Sequence, residues 1–398
     1  MENSIQVVEG VHWVGVRHPD LKVFDDLFPT RNGTTYNSYL VQGSEKTALI
    51  DTVKASFAEE FFGKVAEHID PAKVDIVVVN HTEPDHSGAV VQIIEKNPDV
   101  QIYCSKPAEN FLKQLLNRSF NAVIVNDGDE IDLGGKTLRF IVAPYLHWPD
   151  TIFTYLVEEE LLFSCDAFGA HYCSDKLFDD EINEFYSDFH FYFDCIVRPF
   201  KDKVRDALKK CEGLPIKMVC PSHGPIRRSS GQFAIESYAR WCAEPSSSGR
   251  PQALMAVLSS HGNTRDMANV IKTELESQGV DVDLFALSDM RDDDYRDALE
   301  RADVLLIGTP TIQRDAPPHV WHALSLISSV TPKAKLGAVF GSFGWSGEAV
   351  KMVEQRLAGL KYKLVANGIS FRFTPTAENM EACRSFAEQV AGAVLTEE

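Results

Sequence analysis

The sequence predicts two α/β units in series. The first is accommodated by an αββα sandwich, two sheets with flanking helices; the second is a five-stranded parallel sheet wound with helices on both faces. Two observations point there. Short β-branched runs alternate with turns and helical stretches in the first half, and strictly regular strand–helix alternation follows a polar Pro/Ser/Gly segment in the second. A third observation, the dense stretch His81-Thr82-Glu83-Pro84-Asp85-His86 at the end of an apolar run, says what the first unit carries.

The 398 residues allow about two to three domains, and an apolar fraction of 44% is ample for two buried cores. A formal charge of −19 argues against nucleic acid or an anionic membrane as partner. Eight cysteines are scattered without any Cys-x-x-Cys spacing, which excludes an iron–sulfur or rubredoxin module in this chain and fits reduced thiols. No basic or hydrophobic targeting segment follows Met1-Glu2-Asn3-Ser4, and no run reaches about 18 apolar residues, so a soluble cytoplasmic protein is expected.

In chain order, Tyr36 to Val41 and Thr47 to Asp51 form a hairpin across Gln42-Gly43-Ser44-Glu45. Phe57 to His68 has helical periodicity and stops before Pro71. The run Val74 to Asn80 has the length and β-branched content of a buried strand, so the residues after it leave a rigid element. A helix from Ser87 to Lys96 follows, then strands at Val100 to Cys104, Ala122 to Val125, Thr137 to Val142, Ile152 to Val157, Leu161 to Ser164 and Ile216 to Val219.

Glu244 to Pro251 reads as the linker, dividing the chain into units at 1–248 and 251–398. Beyond it, strands are expected at Ala253 to Leu258, Val280 to Ala286, Asp303 to Gly308, Leu336 to Phe340 and Leu364 to Phe371, with a last helix from Ala377 to Leu395.

Four of the six residues in the His81–His86 stretch can bind a metal, and Pro84 stiffens the backbone between them. His147, Asp166 and His223 each follow a strand-like segment, as ligands converging on one edge of a sheet sandwich should. A His or Asp at a strand end is by itself more often a capping residue. Jointly the seven offer four imidazoles and three carboxylates, enough for two metals sharing a carboxylate.

His81-x-Glu83-x-Asp85-His86, then His147, Asp166 and His223 in that order, is similar to the metallo-β-lactamase superfamily signature. It departs at Glu83, where the zinc hydrolases usually have His. That substitution, followed by a second domain of flavodoxin-like pattern, resembles the flavodiiron proteins (A-type flavoproteins), and the resemblance covers nearly the whole chain. It implies one iron on His81, Glu83, His147 and Asp166, a second on Asp85, His86, Asp166 and His223, and Asp166 as the bridge. A third carboxylate makes the site harder and more anionic, which favours iron over zinc. His171 is a candidate hydrogen-bond donor beside the metals, with a buried structural role as the alternative.

In the second unit, Ser259, Ser260, His261, Gly262, Asn263 and Thr264 join the first strand to the first helix, and hydroxyls with free N–H groups at a helix N-terminus form a phosphate cradle. Pro310, Thr311, Ile312 and Gln313 follow the third strand. Ser342, Phe343, Gly344, Trp345, Ser346 and Gly347 follow the fourth, and both loops stand at strand ends where a flavodoxin-like fold binds FMN. Trp345 offers an aromatic face to the isoalloxazine. No Gly-x-Gly-x-x-Gly fingerprint is present, so FMN is preferred to FAD or NAD.

The resemblance implies an oxidoreductase that reduces dioxygen to water, nitric oxide to nitrous oxide, or both. Electrons would come through FMN from a separate donor such as rubredoxin, or a reduced deazaflavin. It also implies a head-to-tail homodimer or a dimer of dimers, bringing one chain's FMN beside the other's iron pair. Two rival readings remain at this level: a zinc hydrolase, against which Glu83 and the flavin loops count, and an oxygen or nitric oxide sensor without turnover.

Overall fold

The computed structural model describes residues 3–244, 249–330, 332 and 335–396. The chain folds as two compact units, Met1–Ala243 and Glu244–Glu398. Pro245 to Ser248 of the expected linker lie outside the described residues.

The first unit holds two sheets. One runs in the order Ile5–Val8, Val11–Trp13, Tyr39–Gln42, Thr47–Ile50, Ile76–Val78, Gln101–Cys104, Asn121–Ile124; its first four strands are antiparallel and the rest join in parallel. The other runs Glu130–Asp132, Thr137–Val142, Ile152–Leu156, Leu161–Cys165, Met218–Pro221, with only the last pair parallel. Alternation within strands makes the sandwich. Val41, Ile50 and Val78 point inward to meet Phe140, Leu161 and Phe163, whereas Leu40, Leu49 and Val77 face the helices carrying Phe61, Ile93 and Leu112. On the far side Ile141, Tyr155 and Leu162 pack against Phe189, Val204 and Tyr238.

At the ligand-bearing edge the two sheets are tied together. Ile152 N–H donates to the Asn80 carbonyl at 2.9 Å, the Thr154 hydroxyl donates to Asn80 Oδ1 at 2.7 Å, and Asn80 itself donates from its backbone and side chain to the buried Asp51. Asn37 adds a second tie, from its side-chain amide to the carbonyls of Pro221 and Gly224.

Several boundaries differ from the sequence reading. Tyr36 belongs to a separate ribbon, Thr34–Tyr36 with Val16–His18, because Asn37 leaves the sheet to donate its N–H to Ser222. The helix expected from Ser87 is two pieces, a turn Pro84–Ser87 and a helix Val90–Lys96. Gly88 separates them where a Cβ would stand 2.5 Å from both Ala55 N and Pro84 O. The strand expected at Ile216 begins at Met218 and extends to Pro221, following its parallel partner Leu161–Cys165. The helices Lys106–Leu116, Tyr186–Tyr192, Lys201–Cys211 and Gly231–Trp241 add to the elements expected from the sequence.

The second unit is a parallel sheet in the order Asp281–Ala286, Gln252–Val257, Val304–Pro310, Leu336–Phe343, Lys363–Leu364. Met267, Ile271 and Leu275 of Asn263–Ser277 pack with Phe386 and Val390 of Ala377–Leu395 on one face. Tyr295, Val320 and Val353, from the helices Asp292–Arg301, Pro318–Leu326 and Ala349–Gly359, cover the other. The single strand expected from Leu364 to Phe371 is split in two, Lys363–Leu364 and Ile369–Arg372, both paired to Leu336–Phe343. Between them Gly368 turns its N–H to the Glu354 carboxylate at 2.8 Å. Among the described residues no helix is long and apolar enough to cross a membrane.

Candidate metal centre and flavin site

The candidate ligands converge from chain segments far apart in sequence. His81 and Glu83 leave the strand Ile76–Val78, Asp85 and His86 ride the turn Pro84–Ser87, and Asp166 follows Leu161–Cys165. His223 follows Met218–Pro221, and His147 stands in the connection between Thr137–Val142 and Ile152–Leu156.

Their polar atoms fall into two groups around Asp166. In the first, Glu83 Oε2 lies 3.1 Å from His81 Nε2 and 3.0 Å from His147 Nε2. Asp166 Oδ2 lies 3.8 and 3.6 Å from those same nitrogens. In the second, Asp85 stands 3.4 Å from His86 Nε2 and 3.2 Å from His223 Nε2, and Asp166 Oδ1 lies 3.2 and 3.4 Å from those two nitrogens. Each carboxylate oxygen of Asp166 therefore faces a different group.

The surroundings orient these side chains. Asp150 lies 3.2 Å from His81 Nδ1 and accepts from the Thr82 N–H at 2.8 Å, which leaves Nε2 of His81 for the centre. The Thr35 carbonyl lies 2.7 Å from His223 Nδ1 and directs its Nε2 likewise. Tyr192 donates to Asp166 Oδ1 at 2.9 Å, from the point where its helix loosens into the π-turn Phe193–Val197. His171 packs its ring on Tyr192 and His223, with Nδ1 3.1 Å from the Thr34 hydroxyl, and contributes no atom to either group. Sequence reasoning missed Asp150 and Tyr192. Neither carries a local signal, since one is a turn aspartate and the other one ring in an aromatic segment.

The electrostatics describe a site built for a cation. Burial opposes a charge on His81, yet its bonds to Asp150 and Glu83 raise its pKa well above the ordinary histidine value. His223, also opposed by burial, is raised to about 10 by Asp166 and Asp85. Asp166 is held well below the carboxylate range, against its burial, by His86 and His223. Both carboxylate oxygens of Asp85 and both ring nitrogens of His86 are buried without a hydrogen bond, and such atoms are costly unless something binds them. Two groups of imidazole and carboxylate atoms sharing one aspartate fit a pair of iron ions.

In the second unit a cavity of about 490 Å³ opens at the ends of the parallel strands. Ser259, Ser260, His261, Asn263, Pro310, Thr311, Ile312, Gln313, Ser342, Phe343, Gly344 and Trp345 line it, and so does Phe373, which sequence reasoning missed. Gly262, Thr264, Ser346 and Gly347 do not line it. Gly262 begins the helix Asn263–Ser277 at φ +90°, and Thr264 is turned inward to share a 2.8 Å hydrogen bond with Ser342. Ser259 accepts from the Arg265 N–H at 3.2 Å. Trp345 and Phe373 are 68% and 59% exposed and present aromatic surface at the cavity. Hydroxyls at a helix N-terminus beside exposed rings fit a phosphate-bearing flavin.

Known proteins share both parts. Residues 34–224 match the family described as ODP family beta lactamase, and residues 257–386 match flavodoxin. The chain is 40% identical over 394 residues to a type A flavoprotein of Rhodobacter capsulatus, covering 97% of this chain and 91% of the relative. It is 37% identical over 402 residues to a nitric oxide reductase of Moorella thermoacetica, covering 99% of this chain and all of that one. Among solved structures it is similar to the rubredoxin oxygen:oxidoreductase of Desulfovibrio gigas, with a TM-score of 0.72, 28% identity and 99% of each chain covered. With identity sustained across both units, the chain belongs to the type A flavoproteins, the flavodiiron family.

Proposed function

We propose that this flavodiiron oxidoreductase reduces dioxygen to water, nitric oxide to nitrous oxide, or both, and that residues 1–248 carry the iron pair and residues 251–398 the flavin. Its cofactors are FMN and a non-haem diiron site. The observation that carries the reading is the division of Asp166, Oδ2 toward His81 and His147, Oδ1 toward His86 and His223.

In this reading His81, Glu83, His147 and Asp166 hold one iron, and Asp85, His86, Asp166 and His223 hold the other. Fully reduced FMN (two electrons) and a ferrous pair (two more) would together supply the four electrons that, with four protons, convert one dioxygen into two waters. The protein's share is to fix ligand geometry and surround it with dry walls. Asp150 and the Thr35 carbonyl keep Nδ1 of His81 and of His223 engaged, Trp148 sets its ring edge-on to His81 at 4.9 Å, and Phe24 covers His171 and His223. In the second unit the hydroxyl-rich turn after Val257 would hold the flavin phosphate, and Trp345 and Phe373 would offer aromatic surface to its ring system.

Electrons reach FMN from a separate donor, rubredoxin in this proposal, a choice supported by the name of the Desulfovibrio gigas relative. The name of the Moorella relative supports nitric oxide as a substrate. A head-to-tail pairing of two chains belongs to the same reading, and the exposed Trp345 and Phe373 are surfaces such a pairing would cover. A cytoplasmic location accords with the free cysteines.

Metal and flavin analysis with product assays tests the proposal. About two irons and one FMN per chain are expected, with water formed from dioxygen or nitrous oxide from nitric oxide when reduced rubredoxin is supplied. Two zincs per chain, or reoxidation by either gas without those products, would sink it.

A further inference from the structure

Arg227 and Tyr238 hold the backbone of one residue, Phe168, from two sides. Asp166 leaves its strand on a turn in which Cys165 and Phe168 take φ of +51° and +66°, left-handed values that are uncommon and costly for non-glycine residues. Two residues beyond Asp166, the Phe168 N–H donates to the Tyr238 hydroxyl oxygen at 2.9 Å, and the Phe168 carbonyl accepts from Arg227 Nε at 2.8 Å. Both backbone polar groups of Phe168 are therefore fixed by buried side chains.

Arg227 also closes the loop that carries His223. Its N–H donates to the Val219 carbonyl at 2.9 Å and its own carbonyl accepts from the Val219 N–H at 3.2 Å, so segment 219–227 is tied at its ends with His223 midway. The guanidinium lies on the Phe189 ring, 3.9 Å from its centroid, with Nη1 3.4 Å from the Ser230 hydroxyl. Arg227 is 2% exposed and makes no ion pair among the described residues. An isolated buried cation is costly, and its fork shape explains the choice: a planar guanidinium stacks on a ring while Nε donates in its plane, which an ammonium cannot do.

We propose that Arg227, assisted by Tyr238, is a positioning residue that fixes the Asp166 turn against the His223 loop. It thereby sets the geometry in which Asp166 Oδ1 and His223 Nε2, 3.4 Å apart, bind one of the two irons. This rests on Asp166 being the bridging ligand.

The test uses the full-length, iron- and FMN-loaded protein with Arg227→Lys and Tyr238→Phe. Tyr238→Phe removes one oxygen and keeps the ring, so it carries the test should Arg227→Lys fail to fold. Iron release to a chelator is followed together with the magnetic coupling of the pair by Mössbauer spectroscopy. Expected are about 10- to 100-fold faster release of the iron on the His223 side and altered coupling, with a smaller effect on the iron on the His81 side and little change in FMN content or melting temperature. Unaltered release and coupling in a folded variant would overturn the proposal. So would equal loosening of both irons with a lower melting temperature, which marks general destabilisation. Uncoupled irons in the wild-type protein would instead refute the Asp166 bridge; a coupled wild-type pair beside unaltered variants refutes only the clamp.

Discussion

Tyr192 donates its hydroxyl to Asp166 Oδ1 across 2.9 Å, the same oxygen that faces His86 and His223. One lone pair of the shared carboxylate is thus engaged by the protein, which limits how that oxygen can turn. Tyr192→Phe is expected to keep both irons but to weaken the one on the His86 and His223 side by about 10-fold, as loss of a metal ligand's hydrogen-bond partner typically does. Chelator titration followed by iron analysis reads this directly; unchanged affinity for both irons would leave the hydrogen bond without a role in binding.

Asp166→Ala should lose iron from both positions, because each group of ligands draws one oxygen from this residue. Elemental analysis should give well under one iron per chain while the FMN content stays at the wild-type level. Retention of a full, active pair would refute the bridge.

Glu83→His converts the first group from one imidazole pair with two carboxylates to three imidazoles with one, a softer and less anionic set. Grown in medium containing both metals, the variant should shift toward zinc. An unchanged iron-to-zinc ratio would mean that Glu83 does not govern metal choice.

Asp150 engages His81 Nδ1 and the Thr82 N–H together. Asp150→Asn keeps the shape but weakens the acceptor, and a loss of about 10- to 100-fold in iron affinity at the His81 position is expected. Competition titration would measure it, and equal weakening at both positions would argue against a local effect.

Asp179 accepts hydrogen bonds from the backbone of Arg228, Ser229 and Ser230 and from the Ser229 hydroxyl. Burial would raise its pKa, but these bonds, led by Ser230 and Ser229, lower it below the ordinary aspartate value. A depressed folded-state pKa means stability that is present above the unfolded value, about 3.9, and is lost as pH falls through the folded value. Asp179→Asn should therefore cost ~1–3 kcal/mol at neutral pH and flatten the stability profile below about pH 4. Denaturant melts across that range decide it; parallel wild-type and variant profiles would rule the aspartate out as a source of acid sensitivity.

Much of this protein was legible in its residues. The order His81-x-Glu83-x-Asp85-His86, His147, Asp166, His223 and the Ser259–Thr264 turn carried family, cofactors and chemistry, because ligand types and strand-end positions are local facts. The final helix from Ala377 to Leu395 was legible for the same reason, and Thr376 caps it through its own side chain. What only the tertiary structure decided is which atoms meet. The division of Asp166's two oxygens depends on a turn with left-handed Cys165 and Phe168, held by Arg227 and Tyr238 from 59 and 70 residues away. Asp150 and Tyr192 became part of the centre only when the folded chain brought them to His81 and Asp166, at separations of 69 and 26 residues. Period and composition report which face of an element is apolar. They do not report which distant hydroxyl or guanidinium will satisfy a buried polar group, since that partner is selected by packing in three dimensions.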